Sequence, residues 1–145
     1  MATTFQWVAP EAIVTHIGAT LNSLANLATA SNGPVIANET GLFQYISFEL
    51  VLAALSPTAG AYVDLWALYA LDGSNFADSA KASQTSGLLC SFQLDLQPSL
   101  AQRLTRSNVL IAPLDFKLEL RNGAGVALAA SGSTLKYRRH NDQGV

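Results

Sequence analysis

The feature that most constrains this chain is a set of stretches in which apolar and polar residues alternate with a period of two. Successive side chains of a β-strand point to opposite faces, so this period predicts strands with one buried face and one solvated face. Acidic residues such as Asp95, Asp115 and Glu119 take alternate positions, and we expect them to face solvent. The clearest apolar sets are Leu88, Cys90, Phe92, Leu94 and Leu96 in one stretch, and Leu114, Phe116, Leu118 and Leu120 in another. This pattern is typical of half-buried antiparallel strands.

Turn signals divide the rest of the chain into further predicted strands. Gly, Pro, Asn and Asp cluster at 56–60 and 72–75, and Asn122-Gly123 is a strong hairpin signal. The strand at 62–71 carries bulky residues on both faces, so we expect it either in the centre of a sheet or covered by a neighbour. Segment 98–106 fits either a short helix or a strand. The remaining predicted strands are 43–55, with Ile46, Phe48, Leu50 and Leu52 facing the core, then 126–130 and 133–139. Six to eight strands without a long helix predict an all-β fold, an antiparallel β-sandwich or jelly-roll-like domain.

The first 40 residues are more weakly patterned. Their apolar residues fit a helical face and a strand face about equally well, but frequent Thr and Asn and a breaker at 31–34 favour extended structure. We therefore predict an extended N-terminal arm at 1–40, able to pair with a neighbouring molecule, and a β-sandwich domain at 41–145.

Charge is scarce and unevenly distributed. Charged residues form 12% of the chain, against about 25% in an ordinary soluble domain. Before Lys81 there are six acidic residues and no Lys or Arg, whereas all eight basic residues lie from Lys81 onward with four acidic ones. The composition favours a surface partly covered by another chain, and the asymmetry favours contacts between acidic and basic patches of neighbouring subunits. The alternatives are a monomer with an Ala-, Ser- and Thr-rich surface, and a fold that interleaves the two charge blocks.

No residue pattern in the sequence indicates catalysis, a cofactor or a metal. The two histidines, His16 and His140, lie far apart, and the Gly-x-Ser-x-Gly motif is absent. Gly123-Ala124-Gly125 lacks the later glycine and the βαβ setting of a dinucleotide loop. The segment with Asp72, Asn75 and Asp78 lacks the ligand ladder of a calcium loop and is predicted to be a turn. The single cysteine, Cys90, is interpreted as a small buried hydrophobe. The chain is therefore not expected to be an enzyme.

Two groups of residues are candidates for binding. Lys136, Arg138 and Arg139 form a basic cluster that suits an acidic protein partner, or simply a solvated strand end. Nucleic acid is not expected, because the net charge is -2 and Tyr137 is the one aromatic residue within the cluster. Trp7, Trp66 and Tyr62 are candidate interface anchors, with ordinary core packing as the alternative. We expect no membrane segment and no secretory leader, because no apolar run approaches the ~20 residues of a bilayer crossing.

Three stretches together carry a family resemblance. They are YVDLW at 62–66 followed by DGSNFAD at 72–78, the strand at 114–122 after a proline, and SGSTLKY at 131–137 leading to a polar tail at 141–143. In these features the chain resembles small structural proteins of tailed-bacteriophage virions, especially capsid decoration (cement) proteins. The resemblance spans roughly residues 43–143, and its motifs are turn-and-strand signatures.

The resemblance implies a homo-oligomer, with a trimer favoured, that binds the major capsid protein on the outer surface of an assembled virion head. Such a protein bridges neighbouring capsid subunits and stabilises the shell. The alternatives are another virion component from the neck, tail or fibre, and a β-sandwich carbohydrate-binding module for host attachment. The sugar-binding alternative requires an exposed Trp7 or Trp66.

Overall fold

The computed structural model of the protein describes residues 5–31, 33–77 and 87–144, and strands dominate this part of the chain. A single turn of 3₁₀ helix at Ala19–Leu21 is the one helical element of these residues, and they contain no helix of the length and apolar character that a bilayer crossing requires. In chain order the strands are β1 (Phe5–Trp7), β2 (Val14–Ile17), β3 (Thr29–Ala30), β4 (Tyr45–Leu55), β5 (Tyr62–Tyr69), β6 (Leu88–Gln93), β7 (Leu100–Leu110), β8 (Phe116–Gly123), β9 (Thr134–His140) and β10 (Asp142–Gly144).

Eight of these strands form two four-stranded antiparallel sheets that pack together. The strand order is β2-β9-β4-β7 in the first, which we call sheet I, and β3-β8-β5-β6 in the second, sheet II. Strands β1 and β10 pair with each other as a separate two-stranded ribbon. The architecture is a β-sandwich, and the predicted fold class is confirmed.

The core lies between the two sheets and follows the predicted alternation. In β4, Ile46, Phe48, Leu50 and Leu52 are all buried, with the residues between them more exposed. Sheet II supplies the opposing layer, mainly from Val63, Leu65, Cys90, Phe92, Phe116, Leu118 and Leu120. Fully burying one such side chain stabilises the fold by roughly 1.5–3 kcal/mol. These interdigitating layers therefore fix which face of each strand points inward.

Strand β5 is central, as its bulky residues predict. It lies between β8 and β6 in sheet II, and it pairs with β8 along its whole length and with β6 from Tyr62 to Trp66. Val63, Leu65 and Ala67 face the core, while Trp66 and Leu68 on the opposite face are also buried. A strand with both faces covered is expected to carry apolar residues on both.

The N-terminal segment runs along the edges of both sheets. Strand β2 pairs with β9 at the edge of sheet I, and β3 pairs with β8 at the edge of sheet II. The predicted extended character holds for these strands, whereas Ala19–Leu21 forms the 3₁₀ turn and Leu21 is fully buried. The division of the chain at residue 40 stays a prediction.

At the ends of strands, one open alternative is decided and one prediction needs correction. Of the two alternatives for segment 98–106, the strand is the one that forms, since β7 begins at Leu100. The stretch that starts at Leu88 forms β6 only as far as Gln93, and Leu88 and Leu96 are 44% and 48% exposed. Both lie at the ends of an edge segment, where fewer neighbouring side chains are available to cover them. Most of the predicted polar loop at 77–87 lies outside the described residues.

The hairpin predicted at Asn122-Gly123 is wrong. Both residues belong to β8, and the chain turns after them at Gly125, whose φ of 79° is the left-handed conformation that glycine favours. The buried Asn122 side chain donates to the carbonyl oxygens of Leu24 and Val126 at 2.9 and 2.8 Å. The Asn122 side chain therefore joins two loops by hydrogen bonds. The strand predicted at 126–130 does not form, and the backbone there is irregular.

Candidate functional site

The outer face of sheet I carries the most concentrated positive charge in the described part of the chain. A groove of about 600 Å³ lies there, and four of the protein's eight Lys and Arg residues line it. We call it the basic groove; its charged and polar lining is Ser47, Glu49, Arg103, Thr105, Arg106, Ser107, Lys136, Arg138 and His140. Ile13 forms an apolar part of its wall.

Strand order explains how these cations come together. Strand β4 lies between β9 and β7, and Glu49 of β4 pairs with Lys136 on one side and with Thr105 on the other. Residues opposite each other in a sheet point to the same face. Arg138 and Arg103 occupy the next outward positions, opposite Ser47 and Val51 respectively. Two strands that are distant in sequence therefore contribute their cations to one surface.

Glu49 is the one acidic side chain in the lining of the basic groove. Its carboxylate accepts a hydrogen bond from Arg103 Nη1 at 2.8 Å and one from Lys136 Nζ at 3.4 Å. The hydrogen bond from Arg103, assisted by Lys136, lowers the pKa of Glu49. Arg106 and Arg138 make no ion pair with any described residue. The groove thus keeps a net positive charge, with two of its guanidinium groups available to an anionic partner.

The third member of the predicted basic cluster has a structural role. Arg139 donates from Nε and Nη2 to the two carboxylate oxygens of Glu11 at 2.8 and 3.0 Å, and from Nη1 to the Ala37 carbonyl at 2.6 Å. Its guanidinium also lies 4.5 Å from the centre of the Phe43 ring. Bidentate pairs of this kind are strong and directional. Arg139 therefore binds the N-terminal segment to β9. Of the three cations in the sequence cluster, Lys136 and Arg138 line the basic groove, and Arg139 stabilises the fold.

His16 and His140 occupy two different environments. His16 is the extra residue of a β-bulge between β2 and β9, and the bulge turns its ring inward, 5.6 Å from the ring of Tyr137. Burial lowers the pKa of His16 to about 4, and its buried ring nitrogens have no hydrogen-bond partner in the described part of the chain. His140 Nε2 lies 3.0 Å from Asn108 Oδ1, and burial together with Arg138 lowers its pKa.

The Asp72 segment forms a turn, as predicted. The Asp72 carboxylate accepts hydrogen bonds from the backbone N–H groups of Ser74 and Asn75 at 3.0 and 2.7 Å. These donors, with the Asn75 side chain, hold the pKa of Asp72 well below its usual range. Asp78 lies outside the described residues. The described residues contain no group of three or more His, Cys, Asp or Glu side chains that could hold a metal ion.

The remaining candidates are mostly packing residues. Cys90 is buried, as predicted, and burial raises the pKa of its thiol to about 12. Trp66 lies on the outer face of sheet II but is only 6% exposed, so it is unavailable as a surface anchor. Tyr62 is half-buried at the start of β5. Trp7 belongs to β1, and its side chain lies outside what the structure describes.

Sequence reasoning missed two polar features. Arg103, Arg106 and Glu49 were not recognised as partners of the β9 cations, because only strand order brings them together. Glu119 was expected to face solvent, but it is fully buried opposite Trp66 on the outer face of sheet II. Alternation assigned its face correctly and its exposure wrongly. Asp95 is exposed as expected, and Asp115 accepts backbone N–H groups from Asn38 and Glu39.

The fold and this surface define the protein as an antiparallel β-sandwich with a basic groove on one outer face. No protein-family model matches the chain, and no match to a curated protein was found.

Proposed function

We propose that the protein is a capsid decoration (cement) protein, which binds the outside of an assembled phage head and bridges neighbouring capsid subunits. The observation that carries the proposal furthest is the basic groove, an open and cationic sheet face in a chain otherwise poor in charge. Such a surface suits an acidic protein partner, and the major capsid protein is the proposed one. The action is binding and not catalysis, and its proposed place is the outer surface of the virion.

Exposed apolar side chains support association with other chains. Leu71 is 87% exposed and Leu110 is 70% exposed, and Ile13, Leu27 and Leu42 are each more than half exposed. Single exposed apolar residues are ordinary, but Ile13 borders the basic groove, and Leu110 ends the strand that supplies Arg103 and Arg106. Exposed apolar side chains suit the centre of an interface, and charged side chains suit its rim. They support the proposed homo-oligomer, a trimer, and its contact with the shell.

The proposed mechanism relies on repetition. A shell presents the same acidic surface many times, and an oligomer that contacts two capsid subunits at once gains effective concentration without a new kind of contact. Each individual groove can then bind modestly while the assembled lattice is held firmly. A protein that bridges adjacent subunits raises the resistance of the shell to internal pressure.

The other functions proposed from the sequence receive less support. A carbohydrate-binding module needs an exposed aromatic platform, and Trp66 does not supply one because it is buried. A neck, tail or fibre component would use the same kind of protein-binding surface, and copy number separates it from a decoration protein.

The first experiment is to measure the copy number of this chain in purified virions, relative to the major shell subunit, by quantitative mass spectrometry. A ratio near that of the shell subunit is expected for a lattice-wide decoration protein. A handful of copies would assign the chain to the neck, tail or fibre instead. Absence from the particle would overturn the virion function.

A second experiment tests the surface. Arg106→Gln with Arg138→Gln removes two positive charges from the basic groove and is expected to weaken binding to undecorated capsids at least tenfold. The matched control is Lys117→Gln with Arg121→Gln, which removes the same charge from sheet II and should bind as the unaltered protein does. Equal weakening by both pairs would show that net charge and not the groove drives binding.

A further inference from the structure

Strand β7 is an edge strand with one side unpaired. It is eleven residues long, it pairs with β4 alone, and most of its residues are exposed. Alternate residues of an edge strand direct their backbone N–H and C=O groups away from the sheet. Between Arg103 and Ser107, no backbone group on that side makes a hydrogen bond to another described residue. A row of strand-pairing groups is therefore open to an incoming chain.

There is room beside this edge for an added strand. A second groove, of about 500 Å³, lies between β7 and the start of β6 and is lined by residues 88–89 and 105–110. The regular part of β7 is bounded by irregular pairing near Leu100 and near Asn108, whose φ of 56° is left-handed. The Gln102 side chain is hydrogen-bonded to the backbone of Asp95, so the accepting stretch begins after it. The stretch is about five residues, Arg103 to Ser107, which is an ordinary strand length.

The groove beside β6 has a basic residue and no acidic one in its lining. Arg106 lines both the basic groove and the groove beside β6, and no acidic residue lines the latter. Arg103 lies opposite Val51 and points to the outer face of sheet I, where Glu49 is its partner. An extended chain paired with β7 would thus pass beside the guanidinium groups of Arg103 and Arg106, where Glu or Asp would be favoured.

We propose that β7 accepts an extended acidic segment of the partner protein as an added strand, with the carboxylates of that segment contacting Arg103 and Arg106. The backbone edge supplies strand pairing, and the cations select acidic side chains. A nucleic acid fits less well, because it has no β-strand backbone to pair with this edge and no aromatic side chain lines the groove beside β6. The proposal rests on the proposed function only for the identity of the partner as the shell subunit.

A synthetic peptide tests the proposal with the full-length protein. The probe alternates Glu with Val over seven residues with blocked ends, and the control peptide carries Lys in place of each Glu. We expect the Glu peptide to bind at least tenfold more tightly and to slow amide hydrogen exchange between Arg103 and Ser107. Absence of binding, or binding without protection of these amides, would overturn the proposal.

Backbone methylation of the peptide separates strand addition from simple charge attraction. Two further Glu peptides carry N-methyl groups on alternate residues, one set in each register. A strand that adds to one edge uses only one register of its amides, so one methylated peptide should lose at least tenfold in affinity and the other should bind normally. Equal binding by both would overturn strand addition. Tighter binding of an oligothymidylate probe, with protection of the same amides, would also overturn it in favour of nucleic acid.

Protein variants separate this inference from the proposed function. Arg103→Gln with Arg106→Gln should weaken the Glu peptide at least tenfold, whereas Lys117→Gln with Arg121→Gln should not. If the chain decorates virions but its β7 amides stay unprotected by the Glu peptide, the strand-addition inference fails and the decoration function stands. If the peptide adds to β7 but the chain is absent from virions, the decoration function fails and the strand-addition site stands.

Discussion

The outer faces of the two sheets have similar alternating sequences but differ in their exposure to solvent. On sheet I, Glu49, Arg103 and Lys136 remain accessible and form the basic groove. On sheet II, the outward positions include Trp66, Leu68 and Glu119, and all three are buried. Alternation specifies the face to which a side chain points, whereas the presence or absence of covering chain specifies whether that face meets water. The comparison separates a surface built for contact with another molecule from a surface already used within the chain.

The comparison predicts that the same substitution has unequal costs on the two outer faces. Leu68→Ala removes a buried side chain from sheet II and should lower the free energy of unfolding by about 2–5 kcal/mol. The matched change on sheet I is Leu110→Ala, which removes an exposed side chain. It should change the free energy of unfolding by less than about 0.5 kcal/mol. Chemical denaturation followed by circular dichroism measures both. Equal costs would contradict the difference between the faces.

A second prediction concerns His16, a buried polar residue on the inner side of sheet I. Burial lowers the pKa of His16 to about 4, below its ordinary value of 6.5, so the native state favours the neutral ring. Its contribution to stability is complete above pH 6.5 and falls with pH, because the unfolded chain takes up the proton first. The loss by pH 4 is about 3 kcal/mol, taken from the 1.36 kcal/mol that each pKa unit represents.

The measurement is the free energy of unfolding between pH 7 and 4 for the unaltered protein and for His16→Leu. Carboxylates titrate in both proteins, so the difference between the two curves isolates His16. His140→Gln is the control, because His140 retains a polar partner in Asn108 and should show a smaller effect. Parallel curves for the protein and its His16→Leu variant would contradict the burial of this ring.

A third prediction tests the close packing around His16. Gly33 lies so near the ring that a Cβ atom there would collide with His16 Nε2. Gly33→Ala should therefore lower the free energy of unfolding by about 1–3 kcal/mol, the usual cost of overpacking. The cost should shrink when His16→Ala is present, because the smaller side chain leaves space. A double-mutant cycle by thermal unfolding gives the coupling energy, and additive costs would place the two residues apart.

The smallest expected effect lies in the basic groove itself. Glu49→Gln removes two exposed ion pairs, so the free energy of unfolding should change by less than about 1 kcal/mol. The same change leaves Arg103 and Lys136 uncompensated and should strengthen binding of the acidic peptide. The pKa of Glu49 is lowered, so its small stabilising contribution should be present above its ordinary pKa and lost as the pH falls below it. A large loss of stability would mean that Glu49 is structural and not part of an open surface.

Much of the fold was predictable because alternation is a local signal. The inward sets of β4, β6 and β8 were assigned from sequence at Leu50, Phe92 and Leu118, and all three are buried. Predictions failed where a contact between residues distant in sequence overrode the local signal. Asn122-Gly123 has the composition of a hairpin turn, but the Asn122 side chain is used to bind two loops, so β8 continues through it.

The candidate site was only partly predictable. Lys136 and Arg138 are neighbours in the sequence and were recognised as a cluster, whereas Arg103 and Arg106 lie some thirty residues earlier, on β7. No local pattern pairs them, because pairing depends on β4 lying between β7 and β9. The opposite error occurred at Arg139, which belongs to the sequence cluster but donates its hydrogen bonds to Glu11 of the N-terminal segment.

The sequence by itself determined that the chain forms β-strands, which of their residues face the core, where the Asp72 turn falls, and that the surface carries little charge. These properties follow from side-chain period, turn chemistry and composition, which act over a few residues. The tertiary structure decided the strand order that assembles the basic groove, the bulge that buries His16 and the covering that hides Glu119. Each of these depends on contacts between residues distant in sequence, so only the folded chain specifies them.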